Sequence, residues 1–236
     1  MPYHSTAAAS EAQGDMNATH VLKKYEAMAA GYDRRWRRYQ AETFARVTRH
    51  LRGSHASSIL DVPCGTGELL RWLLPEVSDA RIVGVDGSAA MLNIARQKWA
   101  GQARVSFQHA LADTLPFVDA TFDWVLCCSS LHYFRQPERV LGEFTRVLKP
   151  TGRLLLLDWC RNPWHCRLLN WWKVRIDPTH VWMYTTQELE RLLKHTGWSV
   201  PQVERFRVSW IGGLRLWEMM EAVATPANGR QGQASG

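Results

Sequence analysis

Hydrophobic positions along this chain switch repeatedly between two spacings. In residues 38–52, Phe44, Val47 and Leu51 recur at i, i+3 and i+7, which predicts an amphipathic helix, and residues 19–30 carry similar spacing. Residues 57–62 then form a short apolar run, closed by a glycine turn and followed by a helical stretch through Leu74. The alternation continues with a strand at 81–85, a helix at 89–99 with Ser88 as its N-cap, and a strand at 105–109. Residues 122–128 are almost wholly apolar, as expected of a strand covered on both faces. A helix at 138–148 ends at the turn signal Lys149-Pro150-Thr151-Gly152, and residues 153–158, with four consecutive leucines, make a fifth strand. Strands alternating with helices imply a mostly parallel sheet with helices on both faces.

After Asp158 the pattern changes. Eight of the twelve tryptophans fall between Trp159 and Trp217, and residues 160–184 read as an insertion after the fifth strand. A helix at 186–196, a strand at 200–206 and a terminal helix at 214–223 are expected to follow. Residues 1–16 and 226–236 lack apolar periodicity and read as disordered ends. Residues 17–225 are thus expected to form one α/β domain.

Two strand ends carry the candidate chemistry. In Ile59-Leu60-Asp61-Val62-Pro63-Cys64-Gly65-Thr66-Gly67-Glu68, a strand delivers the chain to a glycine turn and a helix leaves it. Gly65 and Gly67 allow close approach of a ligand that a Cβ would hinder, and the helix start offers free N–H groups. In Ile82-Val83-Gly84-Val85-Asp86-Gly87, a second apolar strand ends in a carboxylate, 25 positions after Asp61. In dinucleotide folds an acid about 20 residues beyond the glycine turn accepts hydrogen bonds from a ribose. The turn reads DxPxGxG rather than GxGxxG, which disfavours a dehydrogenase.

With these segments in order, the chain resembles the class I S-adenosylmethionine-dependent methyltransferases, particularly the small-molecule and lipid/quinone-type group. Also matching are Tyr32-Asp33, Leu115-Pro116-Phe117, Phe122-Asp123, Leu131-His132 and the stretch Arg146-Val147-Leu148-Lys149-Pro150-Thr151-Gly152-Arg153-Leu154. The resemblance implies a Rossmann-like, mostly parallel seven-stranded sheet with an N-terminal helical cover, and S-adenosyl-L-methionine as cofactor. By position, Asp61, Pro63, Cys64, Gly65 and Gly67 would surround its methionine part. Asp86 would bind the ribose, Gly87 and Met91 would lie against the adenine, and Leu111 and Ala112 beside the adenine edge. Ser129 would sit near the sulfonium, with Tyr25 and Tyr32 in the cover. The family usually has glycine at the position of Pro63 and often an aspartate at Leu111; Asp113, two residues on, is a candidate substitute.

The resemblance implies in-line displacement of a methyl group onto an acceptor, a reaction that alignment and water exclusion accelerate. A tryptophan-rich cover suits a cationic reagent, although each tryptophan is individually expected to be core. His132, just past the fourth strand, is the candidate base for an acceptor that must lose a proton, against a structural role. Tyr133, Trp164, His165 and His180 are candidate acceptor contacts. The expected acceptor is a small hydrophobic or aromatic molecule; RNA or protein methylation and a catalytically silent cofactor-binding homologue are the alternatives.

Composition adjusts this reading in two ways. The net charge of +7 lies in the two flanks, notably Arg34, Arg35, Arg37 and Arg38, so nucleic acid or peripheral membrane contact stays open. Five cysteines without paired spacing argue against a disulfide framework and against a metal site. No apolar run approaches the roughly 20 residues of a membrane span, and a cytoplasmic protein is expected. The oligomeric state is open.

Overall fold

A computed structural model describes residues 19–177, 179–200, 202–209 and 217–227. Helix α1 (residues 19–28) leads through a 3-10 turn into α2 (Tyr32–Arg49). There follow β1 (Ser58–Asp61), α3 (Leu70–Leu73), β2 (Arg81–Asp86), α4 (Ala89–Lys98), β3 (Val105–His109) and β4 (Phe122–Cys128). The second half holds α5 (Pro137–Val147), β5 (Leu148–Trp159), α6 (Trp164–Ile176), α7 (Thr186–His195), β6 (Trp198–Ser199), β7 (Val203–Val208) and β8 (Trp217–Pro226).

The strands form one sheet in the order β3-β2-β1-β4-β5-β8-β6, with β7 also paired to β8. The first five are parallel, and β8 runs antiparallel to β5, β6 and β7. This is the expected Rossmann-like architecture, with a two-residue strand, β6, added to the seven expected.

Alternation along the strands builds a core on each face. Leu60, Val125, Leu154 and Leu156 face α5 and α7, packing on Val140, Leu141, Phe144, Leu189 and Leu193. Ile59, Leu126, Leu155 and Leu157 face the other way, onto Val47, Leu51, Leu70 and Leu73. The four leucines of β5 are therefore split between two cores, which is why the strand needs apolar residues at every position. Helix α4 starts at Ser88 as expected, the serine hydroxyl accepting the Met91 N–H at 3.3 Å.

Three expectations are corrected. Of the segment expected as a terminal helix, 214–216 lie outside the described residues and 217–223 belong instead to strand β8, which pairs with β5, β6 and β7. Its Glu, Met and Ala residues favour helix locally, but an open sheet edge beside β5 has ladder bonds to offer, and tertiary pairing overrides propensity. Its two carboxylates are neutralised: Glu221 by Arg46 at 2.7 Å and Arg49 at 2.9 Å, Glu218 by Arg205 at 3.1 Å. The structured chain also reaches past residue 226, since the Ala227 N–H donates to the Gly197 carbonyl at 2.8 Å. In β5, the expected turn is a bulge: pairing jumps from Phe122↔Leu148 to Trp124↔Arg153.

Gly84 in β2 makes room beneath the glycine turn. A Cβ there would lie 2.7 Å from a Phe107 ring carbon and 3.0 Å from Cys64 Sγ. Gly84→Val is expected to lower stability by about 1–3 kcal/mol, as overpacking does, read by urea denaturation. Stability equal to the wild type would mean that Phe107 has space to swing aside.

Candidate active site

The chain winds β1, β2, β3 outward in one direction and then returns to place β4 on the other side of β1. At such a reversal the loops leaving the carboxyl ends of β1 and β4 diverge, and a crevice opens between them. A cavity of about 440 Å³ occupies that place, roofed by α1 and α2, and its size falls within the roughly 300–1,000 Å³ of small-molecule sites.

Its floor is acidic. Asp86 is buried and holds the glycine turn: the Gly65 N–H donates to Oδ2 at 2.7 Å and the Ser88 N–H to Oδ1 at 2.8 Å. Gly65 and Gly67 take φ of +54° and +68°, a region where a side chain is strained. Beside them Asp61 is buried, and its Oδ2 has no hydrogen-bond partner. Burial, and then the nearby Asp86 carboxylate, push Asp61 up to about 8. A buried carboxyl oxygen left unpaired in a cavity wall is costly unless a donor arrives, so the floor is built for a cationic or polyhydroxylated ligand.

The walls and roof come from farther away. Gly87 lets two leucines close over the Asp86 end, since a Cβ there would sit 2.8 Å from Leu22 and 2.9 Å from Leu111. Tyr25 stands 5.8 Å from Tyr32 and 5.7 Å from Tyr133, ring centre to ring centre. The Tyr39 hydroxyl meets Ser129 Oγ at 2.5 Å and accepts the Trp159 indole N–H at 3.2 Å. Ser129 itself has φ of +57°, a strained conformation at the end of β4 that turns it into the cavity. The roof is tied to the turn by ions: Asp33 of α2 accepts from Thr66 at 2.5 Å and from Lys98 at 2.6 Å, and Lys98 also holds Glu68 at 2.8 Å.

Of the residues singled out from sequence, Tyr25, Tyr32, Asp61, Pro63, Cys64, Gly65, Asp86, Gly87, Leu111, Ala112, Ser129 and Tyr133 line this cavity, as does Asp113. Gly67 and Met91 do not. Gly67 faces the Trp99 ring, whose Nε1–H donates to its carbonyl at 2.9 Å, and Met91 is packed into the core under α4. Trp164, His165 and His180 also stand outside the cavity. The tryptophan-rich cover expected over the site is absent: among the described residues no tryptophan lines the cavity, and its aromatic wall is made of Tyr25, Tyr32, Tyr39 and Tyr133 with Phe44 and Phe134. Trp210 lies outside the described residues.

His132 sits one layer behind the wall. Its ring is buried, stacked on Trp159 at 4.4 Å and 13° and beside Tyr133 at 4.0 Å. Asp158 Oδ1 lies 2.6 Å from its Nδ1, and its Nε2 has no hydrogen-bond partner. With Asp158 accepting an Nδ1–H, Nε2 is left with a lone pair. His180, 5.6 Å from it, is a poor proton acceptor, since burial and then the neighbouring His132 lower it to about 3. The phenols are poor ones too: burial lifts Tyr133 to about 12 and Tyr25 well above its ordinary value, so both remain protonated donors.

Sequence reading missed Tyr39, Gln40, Arg135 and Arg139 in the lining. Tyr39 had a signal: Tyr32, Trp36 and Tyr39 recur at helical spacing on α2. The arginines, in the loop before α5 and in α5 itself, had none.

Residues 59–152 match the sequence model of a methyltransferase domain family. A ubiquinone/menaquinone biosynthesis C-methyltransferase of Geobacter sulfurreducens is 30% identical over 189 residues, covering 76% of this chain and 70% of that protein. A demethylmenaquinone methyltransferase of Deinococcus radiodurans is 38% identical over 133 residues, covering 56% of this chain and 52% of the relative. The chain thus spans about half the length of several of the curated relatives it matches. Among solved structures, an S-adenosylmethionine-dependent methyltransferase from Thermotoga maritima superposes with a TM-score of 0.66 at 20% identity, covering 87% of this chain and 99% of that one. The [4+2]-cyclase SpnF shares the fold at a TM-score of 0.63 and 20% identity, covering 79% and 81%.

Proposed function

The chain belongs to the class I S-adenosylmethionine-dependent methyltransferases, and we propose that it methylates a small hydrophobic or aromatic acceptor of the quinone type. The observation that carries this reading is the unpaired Asp61 oxygen beside Asp86 in a cavity walled by tyrosines and phenylalanines. That floor fits the cofactor: Asp86 offers acceptors to ribose hydroxyls, and Asp61 with the turn through Gly65 suits the positively charged methionine end. When bound, S-adenosylmethionine supplies an electrophilic methyl group on a cationic sulfur.

The chain's own residues supply placement and proton management. The α1–α2 roof excludes water, and the Asp33–Lys98–Glu68 ties hold it down. The neutral phenols of Tyr25 and Tyr133 present ring faces and hydroxyl donors to a flat acceptor. An acceptor methylated at carbon must shed a proton, and His132 Nε2, oriented through Nδ1 by Asp158, is proposed to receive it once the acceptor displaces Tyr133, which separates the ring from the cavity. Asp113, 3.7 Å from Arg139, is proposed to replace the adenine-capping aspartate.

Demethylated naphthoquinols with short prenyl tails, RNA and protein extracts should be offered with labelled cofactor. Label on the quinol supports the reading; label only on RNA or protein overturns it, and cofactor binding without turnover on any acceptor would favour a silent homologue with this fold. Of the basic flank, Arg46, Arg49 and Arg52 are spent on Glu204, Glu221 and Glu76, whereas Arg34, Arg35, Arg37 and Arg38 are exposed, so RNA is retained as an arm of the test.

Asp61 also sets a pH dependence. Its pKa lies near 8 in the free protein, so at neutral pH it is mostly protonated, whereas the cationic ligand is held by the carboxylate. Affinity for the cofactor is therefore expected to rise with pH up to about 8, with proton release on binding below that. Calorimetry in buffers of different ionisation enthalpy measures both, and Asp61→Asn should flatten the profile. An equally pH-dependent Asp61→Asn variant would assign the proton elsewhere.

A further inference from the structure

Helix α6 is amphipathic in the reverse sense for a helix on a protein surface. Its packed side is small and polar: Cys166, and Asn170, whose Oδ1 accepts from His180 Nε2 at 3.0 Å and the Met183 N–H at 2.8 Å. Its outward side carries Trp164, Leu168, Trp171, Trp172 and Ile176, the tryptophans 76%, 53% and 52% exposed. Core-facing helices place such residues inward, and a contiguous exposed patch of this kind marks an interaction surface.

We propose that this face of α6 docks the protein on an anionic lipid bilayer. Charge complementarity selects the occupant. Arg167 and Arg175 are exposed among the apolar side chains, and no acidic residue occurs from Trp164 to Ile176. The Arg175 guanidinium lies 4.0 Å above the Trp171 ring, an arrangement that keeps the charge at headgroup depth while the indole enters the acyl boundary. A second copy of the chain is a poor occupant, because a two-fold contact would set Arg167 and Arg175 against themselves without a carboxylate. Single-stranded nucleic acid stacks on aromatic rings but leaves Leu168 and Ile176 in water.

The position of the face links it to the cavity without depending on the methyl-transfer reading. Just past α6, Asp177 holds Lys24 of α1 at 2.7 Å, and α1 supplies Val21, Leu22 and Tyr25 to the cavity. A bilayer beneath α6 would thus lie at the edge of the roof, where a lipophilic molecule enters.

The test is co-sedimentation of the full chain with vesicles of phosphatidylcholine and phosphatidylglycerol in equal parts, against phosphatidylcholine alone. The wild type is expected to prefer the anionic vesicles. Arg167→Glu with Arg175→Glu should weaken that binding about tenfold or more. Trp164→Ser with Trp171→Ser and Trp172→Ser should weaken it similarly and abolish the blue shift of tryptophan emission on vesicle addition. All these positions are exposed, and circular dichroism and cofactor affinity should stay unchanged. The proposal is overturned if the wild type ignores anionic vesicles or if either variant binds them as well as the wild type. It is equally overturned if the tryptophan variant instead splits a dimer or loses RNA binding while vesicle binding persists.

Discussion

Replacing Asp86 with alanine is expected to weaken S-adenosylmethionine binding by about a hundredfold or more, because two kinds of contact go at once. The carboxylate would no longer accept from ribose hydroxyls, where hydrogen bonds to a charged group are worth about 1.5–3 kcal/mol each and about 1.4 kcal/mol is tenfold in affinity. The Gly65 and Ser88 N–H groups, which donate to it at 2.7 and 2.8 Å, would also lose their acceptor, and the turn would lose its shape. Asp86→Asn separates the two effects, since it keeps one oxygen and nearly the same volume and should fall between. Calorimetry reads the affinity and thermal unfolding controls for damage. An alanine variant binding within tenfold of the wild type would place the ribose elsewhere.

The second large effect is expected at His132. If its Nε2 takes the acceptor's proton, His132→Ala should lower kcat on a carbon acceptor by about 10²–10⁴-fold while cofactor affinity stays near the wild-type value. The residue is buried under Tyr133 and Trp159, so truncation also opens a void; His132→Gln keeps the volume and should lose kcat equally. Asp158→Asn should act in the same direction without touching the acceptor, because the 2.6 Å contact to Nδ1 orients the ring. Variants that unfold earlier yet turn over at the wild-type rate would leave the pair as a buried polar clasp between β5 and the 3-10 turn Leu131–Tyr133. The other rings packed near it suit the role less: Tyr133 and Tyr25 stay protonated, and His180 is too weak a base.

Both experiments probe one design. The acidic floor belongs to the sheet, rigid and buried, whereas the roof belongs to α1 and α2, held by ion pairs that open at lower cost.

Local chemistry was legible in the sequence because it is local. A strand ending in Asp61, a turn needing Gly65 and Gly67, a second strand ending in Asp86 and a Ser88 cap are each written within a few residues, and the fold class follows from their order. The residues lining the floor followed with them. What depends on packing between distant segments was not legible. The composition of 217–226 favours helix, and only the vacant edge of β5 makes it strand β8. The insertion's tryptophans share one composition whether they point inward or outward; the polar anchor Asn170 turns α6 so that they face out, and tyrosines from α1 and α2, remote in sequence, wall the cavity instead. Backbone geometry and capping are decided by neighbours in the chain, while the facing of a helix is decided by whichever surface it can bury, and that is a property of the assembled structure.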